Sequence, residues 1–150
     1  MTRRQTIPEQ WLVIDRSQPA LWPILRKLSP GSGVLVLGGL SPNEKARLRR
    51  LARLRALTVV TERSGRAARV HGARELRLAL LRRTPLVLLS PMYETPSHPD
   101  WKPLSRMRAA ALARLADRRL VALGGMDPRR YAKIARLGFI GWAGISAFRT

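Results

Sequence analysis

Short apolar runs alternate with helix-patterned segments along almost the whole chain, and this alternation restricts the fold more than any other feature. Strand-type runs stand at residues 11–14, 34–37, 57–60, 68–71, 86–89, 120–123 and 139–145. Runs so short and so apolar suit strands buried on both faces. Helical patterns occupy residues 19–28, 41–55, 75–83, 106–118 and 127–137. Helices placed between buried strands imply parallel pairing through right-handed crossovers. The expected class is α/β, a shortened (β/α) TIM-type barrel with about seven parallel strands, because eight full units usually need at least about 200 residues. The chain has 150. One domain is expected over residues 11–150, behind a polar, flexible segment at residues 1–10.

Local signals sharpen several boundaries. Ser41, Pro42 and Glu44 form a capping-box pattern with proline at the first helical position. The helix they open should turn Leu48, Leu51, Ala52 and Leu54 inward and its arginines outward. Residues 68–71 make a weak strand. Three prolines within residues 96–103 require a loop.

Composition removes several function classes. Cysteine is absent, which excludes disulfides, a thiolate nucleophile and cysteine-ligated zinc. Histidine occurs only at His71 and His98, too few for a histidine-rich metal site. No run approaches the roughly 18 apolar residues of a membrane span, and no apolar segment follows Arg3 and Arg4, so a cytoplasmic protein without membrane contact is expected. The net charge of +20 is almost all arginine, with lysine only at positions 27, 45, 102 and 133. The arginines are spread along every expected helix, which reads as solvated helix faces rather than a nucleic-acid surface. Aromatics are 5% of the chain, too few for a base-stacking platform. The charge should still attract small anions.

The last third carries the chemistry. The run ending at Leu89 opens into Ser90-Pro91-Met92-Tyr93-Glu94-Thr95-Pro96-Ser97-His98-Pro99, the next ends in Gly124-Gly125, and the last ends in Gly144-Ile145-Ser146. Small residues and hydroxyls there lie at the carboxyl ends of adjacent parallel strands, where barrel enzymes hold phosphates. A phosphorylated small molecule is the implied ligand.

These three segments, in order and spacing over residues 70–148, resemble motifs of thiamine phosphate synthase and its relative TenI, the thiazole tautomerase. The resemblance implies a protein of thiamine biosynthesis that binds a thiazole phosphate or thiamine phosphate at the last barrel strands. It implies ligand contacts from Thr95 and Ser97, and a phosphate cradle from Gly124, Gly125, Ile145 and Ser146. Val70-His71-Gly72 resembles the TenI strand whose histidine is the acid/base of thiazole aromatisation, a task that suits a neutral imidazole. His98 stands where the synthases usually carry a lysine near the pyrophosphate.

The first half departs from the family. The synthase strand resembling Gln-x-Arg-x-Lys here ends Val36-Leu37-Gly38-Gly39-Leu40, and the metal-site aspartates are replaced by Thr61-Glu62 or missing. Glu62 alone is a weak magnesium ligand, so no cofactor is required unless synthase chemistry survives, which would need Mg2+. An enzyme, transferase or tautomerase, is one reading. A degenerate member acting as ligand sensor or partner-binding protein is the alternative. An incomplete barrel also leaves an open edge that a second copy could cover.

Overall fold

The structure, a computed structural model, describes residues 7–96 and 98–149. Seven parallel strands form one curled sheet: β1 (Gln10–Ile14), β2 (Gly33–Val36), β3 (Thr58–Thr61), β4 (Ala67–Val70), β5 (Leu86–Leu89), β6 (Leu120–Leu123) and β7 (Phe139–Gly144). Their order is β3-β2-β1-β7-β6-β5-β4, so the sheet closes through β1–β7 and stays open between β3 and β4. Five helices cover the outside: α1 (Leu21–Lys27), α2 (Pro42–Arg55), α3 (Ala73–Leu81), α4 (Arg106–Leu115) and α5 (Pro128–Ile134). No helix lies between β3 and β4. A single 3-10 turn over Glu62–Ser64 connects them, and this is the strand–helix unit that the short chain lacks.

Alternation along each strand divides the core. Leu12, Ile14, Val34 and Val36 pack outward against α1 and α2, while Val70, Val87, Leu89 and Leu120 meet α3 to α5. The alternate set of Trp11, Val13, Leu35, Leu88, Val121 and Ala143 fills the interior of the curl. Trp11 closes its amino-terminal end. The indole donates to the Pro8 carbonyl at 2.8 Å, and its ring occupies the space a Cβ at Gly33 would need, 2.2 Å from that position. Glu9 accepts from the Trp142 amide at 2.8 Å. Residues 8–10 are thus tied to the sheet, and only residues 1–6 of the expected flexible segment lie outside the described residues.

The capping box at Ser41 forms in full. One expectation for α2 fails: Leu54 is 83% exposed. Six residues at 100° each carry Leu54 some 240° from the buried Leu48. Arg55 falls on the inner stripe instead and reaches the Leu28 carbonyl at 2.9 Å. Among the described residues no helix is long and apolar enough to cross a membrane.

Candidate functional site

A cavity of about 460 Å3 opens at the carboxyl ends of the strands. Its walls come from β1, β2, β4, β5, β6 and β7, so the curl gathers residues far apart in sequence. The β5 side is a loop over residues 91–104 whose ends are pinned by the Leu104 amide donating to the Pro91 carbonyl at 2.9 Å. Amides of Met92 and Tyr93 donate to Leu123 and Gly124 carbonyls at 3.0 and 3.1 Å, which extends the β5–β6 contact into the cavity wall. Thr95, Pro96, His98 and Trp101 of this loop line the cavity.

Gly124, Gly125, Ile145 and Ser146 line the cavity as well. Gly124 and Gly125 have φ of 104° and 61°, a region that costs other residues about 1–2 kcal/mol. A Cβ on Gly125 would lie 2.5 Å from the Glu94 carbonyl oxygen. The glycine therefore lets the β6 and β5 loops touch. The Gly125 carbonyl accepts from the Arg130 guanidinium, which also lies 4.6 Å over the Tyr93 ring. Among the described residues, no acceptor within the protein bonds the backbone N–H of Gly125, Ile145 or Ser146. Such a wall suits an oxyanion.

The structure thus brings together Thr95, His98, Gly124, Gly125, Ile145 and Ser146. Ser97 lies outside the described residues. His71 follows β4 at the same end of the sheet, but it is exposed and is not among the residues lining the cavity. Its Nδ1 donates to the Ser90 carbonyl at 2.8 Å and lies 3.3 Å from the Ser90 hydroxyl. A carbonyl can only accept, so Nδ1 carries a proton, and in a neutral ring Nε2 is the acceptor. Trp101 packs edge-on to His71, centroids 5.5 Å apart, and stacks on His98 at 4.1 Å.

Glu62 sits at the seam beside the cavity. One of its oxygens accepts from Arg69 Nη2 at 3.1 Å and Nε at 3.3 Å, while the other is buried without a partner among the described residues. A guanidinium already neutralises this carboxylate, and Asp15 supplies the cavity's one lining acid. No cluster of three metal-binding side chains exists among the described residues. Magnesium prefers several oxygen donors, and this donor set does not fit it.

Arg69, Trp101 and Arg149 line the cavity without having been singled out in sequence. Arg69 is two residues from the inward-facing Ala67 on β4 and so shares its face. Trp101 and Arg149 lie outside any periodic element, and only the folded loops bring them to the mouth.

A family model described as thiamine monophosphate synthase matches residues 67–148, from the start of β4 to the turn after β7. Among solved structures, a thiamine phosphate pyrophosphorylase from Pyrococcus furiosus superposes with a TM-score of 0.76. It shares 12% sequence identity, and the match covers 99% of this chain and 91% of that one. At such identity the likeness establishes the fold. No curated protein sequence matches the chain.

Proposed function

The chain belongs to the thiamine monophosphate synthase family, and from that premise we propose that its cavity binds a thiazole phosphate or thiamine phosphate. The observation that carries this reading is the wall of unpartnered N–H groups at Gly125, Ile145 and Ser146. The phosphate sits against that wall, and Thr95 and Ser97 contact the ligand from the β5 loop. The cavity falls within the roughly 300–1,000 Å3 of small-molecule sites. Nearby arginines raise the local concentration of anions without supplying the cradle itself.

The reaction that needs least from these residues is proton transfer on the thiazole. His71 is the acid/base in this reading, with Nε2 poised as acceptor by the Nδ1 bond to Ser90. Condensation with a pyrophosphorylated pyrimidine receives no support from a carboxylate already paired to Arg69. His71 is not among the residues lining the cavity, which favours a second reading in which the protein binds the ligand as a sensor and turns nothing over.

Calorimetric titration with thiamine phosphate and thiazole phosphate, each against its dephosphorylated form, tests the binding claim. Phosphate-dependent binding is expected, and its absence for both ligands would end the proposal. In a thiazole tautomerisation assay, loss of turnover in His71→Ala with ligand affinity retained selects the enzyme. No turnover by the unaltered protein selects the sensor.

A further inference from the structure

Arginine is denser over the two edges of the open sheet and their helices than over the rest of the chain. Residues 42–81, which build α2, β3, the link, β4 and α3, hold 11 of the 29 Lys and Arg and three of the nine acids. A stretch of 40 of the 150 residues therefore carries +8 of the net charge of +20. These elements are the two edges of the open sheet and the helices that flank them. The five residues between β3 and β4 hold the edges within about 20 Å, and the Arg69–Glu62 pair draws them together at 3.1 Å.

Three of these cations have local partners. Arg55 bonds the Leu28 carbonyl, Arg69 pairs with Glu62, and Arg47 lies 4.1 Å over Trp22. Arg49, Arg50 and Arg53 of α2, Arg66 of the link, and Arg74 and Arg77 of α3 are exposed. Among the described residues their side chains make no ion pair or hydrogen bond. Arg49 and Arg53 are four apart, and Arg50 and Arg53 three apart. Like charges at that spacing repel, and only a counter-charge outside the chain relieves them.

We propose that this seam-flanking face binds the phosphate backbone of a nucleic-acid duplex, independently of the cavity. Guanidiniums match phosphate oxygens in paired geometry, and each contact releases condensed counterions. The large apolar side chains exposed on this face are Leu54, Leu78 and Leu81, with no aromatic among them. Base stacking, the main grip on single strands, is therefore absent, which favours a duplex. Isolated leucines on helices whose apolar stripes are already buried do not build a membrane-inserting face. A second copy would bring the same positive face and be repelled.

The test is anisotropy of a labelled DNA duplex titrated with the full chain across salt. Some five phosphate contacts give a log–log salt slope of about −4 to −5. R49E/R50E/R53E should remove about three units of slope and weaken binding by well over tenfold. R114E/R119E/R136E makes the same change in net charge away from the seam and should leave the slope intact. Equal melting temperatures qualify both variants, and arginine-to-glutamine versions replace any that melts early. Equal losses in the two triple variants would reduce the effect to net charge and overturn the proposal. So would preference for a single strand, binding to phosphatidylserine vesicles but not to duplex, dimerisation through the seam, or no duplex binding at about 150 mM salt.

Discussion

Substituting Gly125 by alanine probes the contact on which the cavity wall depends. Two costs follow from its geometry. At φ of 61° a Cβ meets its own carbonyl, which costs about 1–2 kcal/mol. The same atom would stand 2.5 Å from the Glu94 carbonyl oxygen and 3.1 Å from Tyr93 Cβ, and overpacking of this kind costs about 1–3 kcal/mol. Together they give about 2–5 kcal/mol, since neither relaxation relieves the other. For a domain of this size each kcal/mol lowers Tm by about 2–4 °C, so differential scanning calorimetry should read a fall of roughly 4–20 °C. Relief of the overlap must move either the Gly125 peptide or the Glu94–Thr95 segment, and both belong to the proposed site. Losing one N–H bond to a charged ligand costs about 1.5–3 kcal/mol, which is about 10- to 150-fold in Kd for thiamine phosphate. Gly38→Ala is the control: no atom lies within 4 Å of its Cβ position. Its Tm should hold, or rise through the stiffer unfolded chain. Gly125→Ala with unaltered Tm and unaltered affinity would refute both the contact and its place in the site.

At the opposite end of the sheet, Trp11 and Gly33 should be strongly coupled. Trp11→Ala should cost about 3–5 kcal/mol in denaturant unfolding, and Gly33→Ala should cost several on its own, yet the double variant should lose much less than the sum. Additivity within about 0.5 kcal/mol would mean that the indole does not fill the glycine's space. The helix α2 cap predicts a pH effect. The Ser17 hydroxyl, then the Ser41 amide, hold the Glu44 carboxyl below its ordinary value of 4.5. A depressed carboxyl stabilises the fold above that value and loses its contribution as pH falls through the folded-state value. Ser17→Ala should therefore be less stable than the unaltered protein at neutral pH and converge with it in strong acid. A difference that persists in strong acid would assign the effect of Ser17 to something other than Glu44.

Much of this architecture is legible before folding because a parallel strand buried on both faces leaves a signal of its own. Residues 86–89 and 120–123 need no partner to read as strands, and Ser41 with Glu44 announces a helix start. What fails is whatever depends on angle or closure. Leu54 looks like a core residue by composition, and only counting the helical phase from Leu48 turns it to solvent. Arg69 belongs to the cavity because β4 faces its alternate residues inward, a fact readable only once β4 is accepted as a strand. Trp101 has no periodic context at all. Its contact with His71 and its place on the cavity wall depend on how the loop pinned at Pro91 and Leu104 folds.

The missing strand–helix unit connects the two surfaces. The cradle is built from the ends of β5, β6 and β7, which pair in consecutive order and bury their side chains against α3, α4 and α5. Nothing in that half requires a strand between β3 and β4, so the proposed phosphate wall stands on intact scaffold. The first half bears the loss. Its edge strand β3 is only partly buried, and Glu62 beside the cavity is held by Arg69. A complete barrel would place another helix between α2 and α3 and separate their arginines. Without that unit α2 and α3 are consecutive helices in the chain, as the proposed duplex surface requires.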